Sequence, residues 1–199
     1  MSTLIIATNN RDKLKEIKQI LKDSRINILS AADFKDFPNV DETGDTLKAN
    51  ALLKAQAVWD RYHLPCMADD TGLEVDCLDG EPGIYSSRYA GEDATYADNC
   101  RKLLSMIAIE PPENRSARFR TVVAFIDSEG TAHFAEGVVE GVIIDEKRGE
   151  NGFGYDPLFL LPELDKTMAE LPSAEKNKIS HRHNALIRIM PVIKAKLAS

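Results

Sequence analysis

The chain has 199 residues, of which 43% are hydrophobic and 29% charged, so we expect one globular domain over residues 1–199. This composition excludes a disordered or collagen-like protein, and no apolar run approaches the ~20 residues that a membrane-spanning helix needs. The net charge of −7 argues against a nucleic acid polymer as partner, although a metal ion and a local basic cluster can still hold a small nucleotide. Three cysteines without a CxxC pair, and an N-terminus without a signal peptide, predict a cytoplasmic protein.

The chain opens with an apolar strand over residues 4–7, followed by a polar turn and a helix whose apolar residues recur at helical spacing. Either Thr8 or Asn10 can cap this helix. A turn of this kind that ends in Lys13 can cradle an anion with free backbone N–H groups, or it can serve only to cap the helix. A second short strand is predicted at 26–29.

A second helix is predicted over residues 45–62, after an acidic and irregular segment. Lys54 falls at the edge of its apolar face, where it needs either solvent or a carboxylate such as Asp69 or Asp70. The strand over 66–68 is expected to end at these two aspartates. Adjacent carboxylates at a strand end suit Mg²⁺, whereas the alternative is a solvated turn.

The second half of the chain adds a helix over 95–109 and a hairpin of strands over 117–127 and 131–139. The last helix contains Pro191, which predicts a kink or an early end. Strand-helix units followed by a hairpin indicate an α/β fold with a mixed sheet and helices on its faces.

Two later segments contain residue types that are suited to nucleotide binding. In the loop over 152–157, glycines flank Phe153, which can stack on a planar ring or pack within its own loop. Lys176, His181 and Arg182 precede or open the last helix. Their positive charge suits a phosphate or a base with a carbonyl group, and the alternative is a solvated helix start.

Taken together, these segments resemble the inosine triphosphate pyrophosphatase family. The resemblance rests on seven blocks that come in the family's order and span nearly the whole chain: ATNNRDK at 7–13, DETG at 41–44, NALLKA at 50–55, ADDTGLEVD at 68–76, GEPGIYSSRYAGEDAT at 80–95, GFGYDP at 152–157 and AEKNKISHR at 174–182. It implies a long mixed β-sheet flanked by helices, two lobes with an active-site cleft between them, and a homodimer.

The resemblance also implies an activity, the Mg²⁺-dependent hydrolysis of ITP, dITP and XTP to the monophosphate and pyrophosphate, which cleanses the nucleotide pool. A non-catalytic sensor that binds purine nucleotides is the alternative, because it would keep the same pocket. The presence of acidic residues together with Lys54 favours the enzyme.

Residue by residue, the resemblance assigns Mg²⁺ to Glu42 and Asp70, makes Asp70 the base for the attacking water, and completes the catalytic group with Asp69 and Lys54. The implied substrate-binding residues are Thr8, Asn9, Asn10, Arg11, Asp12 and Lys13 for the triphosphate, and Phe153, Gly154, Tyr155, Asp156, Lys176, His181 and Arg182 for the base and sugar. Thr71 would also contact the substrate. His181 or Arg182 would donate to the carbonyl at the six position of the purine. Asn9 and Asp12 stand where the family usually has glycine, and we expect Asn9 to keep the turn because asparagine tolerates positive φ.

Overall fold

Eight strands form one mixed sheet and five α-helices flank it in the computed structural model, which describes residues 2–198. The strands are β1 Thr3–Ile6, β2 Asn27–Leu29, β3 Cys66–Val75, β4 Pro82–Gly83, β5 Ser116–Ile126, β6 Ala132–Ile143, β7 Phe159–Leu161 and β8 Lys166–Thr167. The helices are α1 Arg11–Ile20, α2 Leu47–Tyr62, α3 Tyr96–Met106, α4 Ser173–Ile179 and α5 His181–Ala198. The predicted α/β fold is confirmed, while Met1 and Ser199 of the predicted 1–199 domain lie outside the described residues.

The strand order is β2-β1-β3-β5-β6-β7-β8, with β4 paired to β3. β1 lies parallel to both β2 and β3, as expected for strands that are joined through helices. β6, β7 and β8 pair antiparallel in succession. The predicted hairpin is confirmed, since β5 and β6 are neighbours joined by a turn in which the Gly130 N–H donates to the Asp127 carbonyl oxygen over 3.1 Å.

One predicted strand end is wrong, and of the kink or early end predicted at Pro191 the early end is excluded. β3 does not end at Asp69-Asp70 but continues to Val75, because both carboxylates find cationic partners inside the protein and need no solvated turn. α5 does not end early at Pro191, because its buried apolar residues, such as Ile189 and Ile193, continue on both sides of the proline. The short strands β7 and β8 were not predicted, since segments of two or three residues show no periodicity.

The chain divides into two compact units. The first unit comprises the described residues up to Asp70, Thr121–Gly137 and the residues from His181 onward. Its two apolar clusters follow the alternation of side chains along β1 and β3. One cluster packs against α1 and α5 and includes Leu4, Ile6 and Met67. The other packs against α2 and includes Ile5, Cys66 and Ala68.

The second unit comprises Thr71–Arg120 and Val138–Ser180. Its core is rich in aromatic side chains, and Phe119 and Phe159 lie with their ring centroids 4.5 Å apart. Leu103 and Ile107 close this core from α3 and the turn after it. Within residues 2–198, the structure has no helix that is long and apolar enough to cross a membrane.

A buried carboxylate, Asp127, organises the hairpin turn of the first unit. Its Oδ1 accepts hydrogen bonds from the backbone N–H groups of Glu129 and Thr131, each over 3.0 Å. Its Oδ2 lies 2.9 Å from His133 Nε2 and 3.1 Å from Lys196 Nζ of α5. Burial alone would raise the pKa of Asp127, but the hydrogen bonds from His133 and the backbone outweigh burial and hold the pKa well below its usual range.

We expect Asp127→Asn to lower the free energy of unfolding at pH 7 by about 1.5–3 kcal/mol. The amide lacks the negative charge that pairs with Lys196, and its NH₂ group would face another hydrogen-bond donor. Because folding depresses the pKa of Asp127, this stabilisation is present above the ordinary aspartate pKa and is lost as the pH falls through the lowered value. Urea unfolding at several pH values measures both effects. The exposed neighbour Glu129→Gln is the control, and an equal loss in both variants would contradict the role of Asp127.

Candidate active site

Asp69 and Asp70 are adjacent in β3, and both are buried in the protein. Successive side chains of a strand project to opposite faces of the sheet. Asp69 therefore shares the face of Met67, which packs against α1 and α5, whereas Asp70 shares the face of Ala68, which packs against α2. The contacts of the two carboxylates follow this division, so they form two distinct ion-pair groups.

On the α2 face, Lys54 joins Asp70 to Glu42. The Lys54 Nζ lies 2.8 Å from Asp70 Oδ1 and 2.6 Å from Glu42 Oε1. Of the two partners that the sequence left open for Lys54, the structure therefore selects Asp70 for the direct contact. Two carboxylate oxygens converge on one cationic atom, which places Glu42 beside Asp70 although 28 residues separate them in the chain.

The electrostatics of this group favour a basic Asp70. Burial raises the pKa of Asp70, and the neighbouring charge of Lys54 offsets this effect only in part. Burial alone would lower the pKa of Lys54, but the charges of Asp70 and Glu42 outweigh burial and raise it. Lys54 thus stays protonated, and Asp70 is a stronger base than an exposed aspartate.

On the opposite face, Asp69 lies among cationic side chains. Its Oδ2 is 3.3 Å from Lys13 Nζ and accepts hydrogen bonds from Arg182 Nε and Nη2 over 3.2 and 3.1 Å. Burial alone would raise the pKa of Asp69, but Lys13 and Arg182 outweigh burial and hold the pKa well below its usual range. Asp69 is therefore a fixed negative charge and a poor proton acceptor.

Arg182 is almost fully buried, and its Nη1 pairs with Glu16 of α1. Sequence reasoning missed Glu16, although its place three residues after Lys13 and directly before the buried Ile17 puts it near the inward face of α1. The guanidinium of Arg182 thus bridges two carboxylates within the first unit. Its predicted donation to the purine stays a prediction, and the bridge gives Arg182 a structural role that the sequence did not indicate.

The start of α5, which carries His181 and Arg182, packs closely on β6 at Gly137. A Cβ at this glycine would overlap the backbone at His181 and Ala185. His181 is buried at the first position of the helix. This close approach of helix and strand holds the Arg182 side chain over β3.

The turn before α1 caps the helix, and its contact with the triphosphate stays a prediction. The Asn10 side chain accepts hydrogen bonds from the backbone N–H groups of Asp12 and Lys13 over 2.9 and 3.0 Å, so these two groups are not free for an anion as the cradle hypothesis supposed. Thr8 Oγ1 accepts from the Asn10 N–H over 3.2 Å, and the exposed Asn9 bonds Asn39. Arg11 is also exposed.

Asn9 keeps the turn without the positive φ that asparagine would tolerate. Within residues 2–198, the non-glycine residues with positive φ are Arg25, His63, Asp79 and Asp165. The turn therefore keeps an ordinary backbone at the position where the family usually has glycine, and asparagine fits there without strain.

In the second unit, the loop over 152–157 is held by Asp156. Its Oδ2 accepts from the Phe153 N–H over 2.8 Å and pairs with Lys176 Nζ of α4, whose side chain is buried and not part of a solvated helix start. Gly152 has φ +74°, and a Cβ there would overlap the Asp156 carboxylate. The loop thus requires glycine at this position.

The predicted base-binding residues of the second unit differ in exposure. The Phe153 ring is half-buried, with Lys176 Nζ 5.0 Å from its centroid. Gly154 has φ +63° and open space at its Cβ position, and Thr71 is half-buried where β3 enters this unit. Tyr155 lies in the core and donates a hydrogen bond to the Ser86 carbonyl oxygen over 3.0 Å. Its contact with substrate stays a prediction.

The charged cluster of the first unit contains four carboxylates and three cationic side chains, so it carries one net negative charge when all are ionised: Glu16, Glu42, Asp69, Asp70, Lys13, Lys54 and Arg182. Within residues 2–198 no group of three or more histidine, cysteine or acidic side chains is arranged to hold a metal ion. Mg²⁺ keeps several waters and needs only one or two protein carboxylates besides phosphate oxygens. The oxygens of Glu42 and Asp70 that converge on Lys54 are donors of the type that Mg²⁺ accepts, and the chain is an α/β protein with buried charged side chains at the centre of its first unit.

Comparison with known proteins identifies the family. The sequence model of the Ham1 family matches residues 4–192. The chain is 47% identical over 194 residues to the dITP/XTP pyrophosphatase of Thermoanaerobacter sp. (strain X514), covering 98% of each protein. It is 48% identical over 186 residues to the dITP/XTP pyrophosphatase of Geobacter sulfurreducens, covering 94% of each. This chain belongs to the Ham1 family, which confirms the resemblance drawn from its motifs.

Solved structures agree with this assignment. A HAM1 protein from Coxiella burnetii superimposes with a TM-score of 0.88 at 39% identity, covering 98% of this chain and 100% of that one. The Ham1 protein of Staphylococcus aureus superimposes with a TM-score of 0.85 at 40% identity, covering 97% of this chain and 98% of that one. The similarity therefore extends over the whole fold.

Proposed function

We propose that this protein is a nucleoside triphosphate pyrophosphatase that hydrolyses the non-standard purine nucleotides ITP, dITP and XTP to the monophosphate and pyrophosphate. The observation that carries the proposal is the buried carboxylate of Asp70, which converges with Glu42 on the Lys54 ammonium in a member of the Ham1 family. The names of the relatives, dITP/XTP pyrophosphatase, support the substrate class.

In the proposed reaction, a water oxygen attacks the α-phosphorus, and the bond from that phosphorus to the oxygen bridging the α- and β-phosphates breaks. Pyrophosphate leaves with this oxygen, and Asp70 accepts the proton of the attacking water. Its raised pKa suits this role, because a general base is most effective when its pKa approaches the working pH. Lys54 holds the Asp70 carboxylate in place.

Negative charge develops on the phosphate oxygens during this step, and cationic side chains stabilise it. We propose Lys13 for this task, because its ammonium lies 3.3 Å from Asp69 Oδ2 and its side chain keeps a small exposed fraction, 15%. Glu42 and Asp70 would hold Mg²⁺, which when bound supplies further positive charge to the phosphates. We assign the purine base to the half-buried Phe153, whose backbone N–H donates to Asp156 and whose ring centroid lies 5.0 Å from Lys176 Nζ.

The test is a pyrophosphate-release assay with ITP, XTP and ATP in the presence of Mg²⁺. We expect one pyrophosphate and one monophosphate per turnover, a preference of about tenfold or more for ITP over ATP, and complete loss of activity in EDTA that excess Mg²⁺ restores. A parallel assay for inorganic phosphate excludes stepwise removal of single phosphates. Full activity in metal-free buffer would contradict the assignment of Glu42 and Asp70 as metal ligands, and ITP binding without pyrophosphate release would favour the nucleotide sensor.

We also propose a homodimer and a cytoplasmic location. The family resemblance supports the first, and the three free thiols of Cys66, Cys77 and Cys100 are compatible with the second. Light scattering of the purified protein measures the first property, and cell fractionation measures the second.

A further inference from the structure

Asn50 is a fully buried polar residue of α2 that the proposed mechanism does not use. Its Oδ1 accepts a hydrogen bond from the backbone N–H of Gly44 over 2.8 Å. Gly44 lies two residues after Glu42, and Asn50 lies one helical turn before Lys54. The hydrogen bond therefore links the segment that carries Glu42 to the helix that carries Lys54.

The contact between Gly44 and α2 leaves no room for a side chain. A Cβ at Gly44 would lie 2.7 Å from Asn50 Oδ1 and 2.7 Å from Ala49 Cβ. The neighbours Asp41, Thr43 and Asp45 are exposed. The segment over 41–45 is thus largely solvated, and the hydrogen bond from the half-buried Gly44 to the buried Asn50 docks it on the helix.

The nitrogen of the Asn50 amide shows that burying this side chain costs free energy. Asn50 Nδ2 is buried and has no hydrogen-bond partner within residues 2–198. A buried donor without a partner destabilises a fold, and an apolar side chain would avoid the penalty. Asn50 therefore contributes something at this position that an apolar residue of similar size cannot, namely the acceptor for Gly44.

We propose that Asn50 is a positioning residue that sets Glu42 for metal binding by fixing the Gly44 N–H. This proposal rests on the proposed function, because it takes Glu42 to be a ligand of the divalent cation. It predicts that the contributions of Asn50 and Glu42 are coupled, since Asn50 acts only through the placement of Glu42.

The test is a double-mutant cycle with Asn50→Ala and Glu42→Gln, in which Mn²⁺ binding to the nucleotide-free protein is followed by electron paramagnetic resonance. We expect Asn50→Ala to weaken Mn²⁺ binding by about tenfold or more, as is typical when a group that orients a metal ligand is removed. In the Glu42→Gln background, Asn50→Ala should have no further effect. Gly44→Ala disrupts the same contact at its other partner, because the added Cβ would overlap Asn50 and Ala49. We expect it to weaken Mn²⁺ binding similarly, so the test remains valid if one of the two variants does not fold.

Asn99→Ala is the matched control. Asn99 of α3 is also buried, and its Oδ1 accepts from the Ala90 N–H over 2.8 Å in the second unit. We expect Asn99→Ala to lower thermal stability as Asn50→Ala does, but to leave Mn²⁺ binding unchanged. Equal losses of Mn²⁺ affinity in both variants, or a full additional loss for Asn50→Ala in the Glu42→Gln background, would overturn the proposal.

Hydrogen exchange at the Gly44 amide, measured by NMR without metal or nucleotide, gives an independent readout. We expect this amide to be protected in the wild type and in Asn99→Ala, and to exchange at least about tenfold faster in Asn50→Ala. An unprotected Gly44 amide in the wild type would overturn the proposal. If the wild type binds Mn²⁺ and shows this coupling but releases no pyrophosphate, the proposed function fails and the positioning role stands.

Discussion

Replacing Asp70 by asparagine should lower kcat for ITP hydrolysis by at least about 100-fold, with the fold intact. Asparagine keeps the size of the side chain and can still contact Lys54, but it cannot accept the proton of the attacking water and is a weaker metal ligand. Steady-state pyrophosphate release measures the loss, and circular dichroism verifies the fold.

Asp60→Asn is the matched control for this experiment. Asp60 is an exposed carboxylate of α2 that accepts a hydrogen bond from Gln56 of the same helix over 2.7 Å. Its variant should keep wild-type turnover. Turnover within a few-fold of the wild type in a folded Asp70→Asn protein would contradict Asp70 as the general base.

Arg182→Ala should lower the free energy of unfolding by about 3–5 kcal/mol, the range for breaking a buried ion pair. The guanidinium is almost fully buried between Asp69 and Glu16, and its removal takes a counter-charge from each of these two buried carboxylates. Urea unfolding at pH 7 measures the effect.

A second arginine of α5 provides the control. Arg188 is exposed and donates to the Glu136 carbonyl oxygen, so Arg188→Ala should change the free energy of unfolding by less than about 0.5 kcal/mol. The sequence-based hypothesis for base selection is tested on the same protein. If kcat/KM ratios of ITP to ATP are unchanged in both Arg182→Ala and His181→Ala, neither residue donates to the six position, and the bridge to Asp69 and Glu16 is the remaining role of Arg182.

Local features of the site could be predicted from the sequence because they depend on neighbours in the chain. The capping of α1 by Asn10 follows from the preference of asparagine for this position, and the inward edge of α2 at Lys54 follows from helical spacing. The sequence does not decide which of the two carboxylates Lys54 contacts, since Asp69 and Asp70 differ only in the face to which they project. Their assignment depends on β3 continuing through both residues.

Long-range pairings could not be predicted from local patterns. Arg182 and Asp69 are 113 residues apart, and neither residue type indicates its partner. The sequence around Lys176 fits a solvated helix start as well as a nucleotide-binding site. α4 spans only seven residues, so its sequence shows too little periodicity to reveal a buried face. Glu16 was overlooked because a single glutamate on an otherwise mixed helix is usually solvated.

Because Asp69 and Asp70 project to opposite faces of the sheet and pair with different cations, their contacts constrain the length of β3 as well as its composition. A single residue inserted or deleted between Cys66 and Asp69 would shift the pairing by one position and exchange the faces to which the two carboxylates project. An insertion would move Asp69 to the place beside Lys54, and a deletion would move Asp70 to the place beside Arg182, so in either case one of the two ion-pair groups would lose its carboxylate. In this part of the gene, a change of one codon in length should therefore be far less tolerated than a substitution of one apolar residue for another.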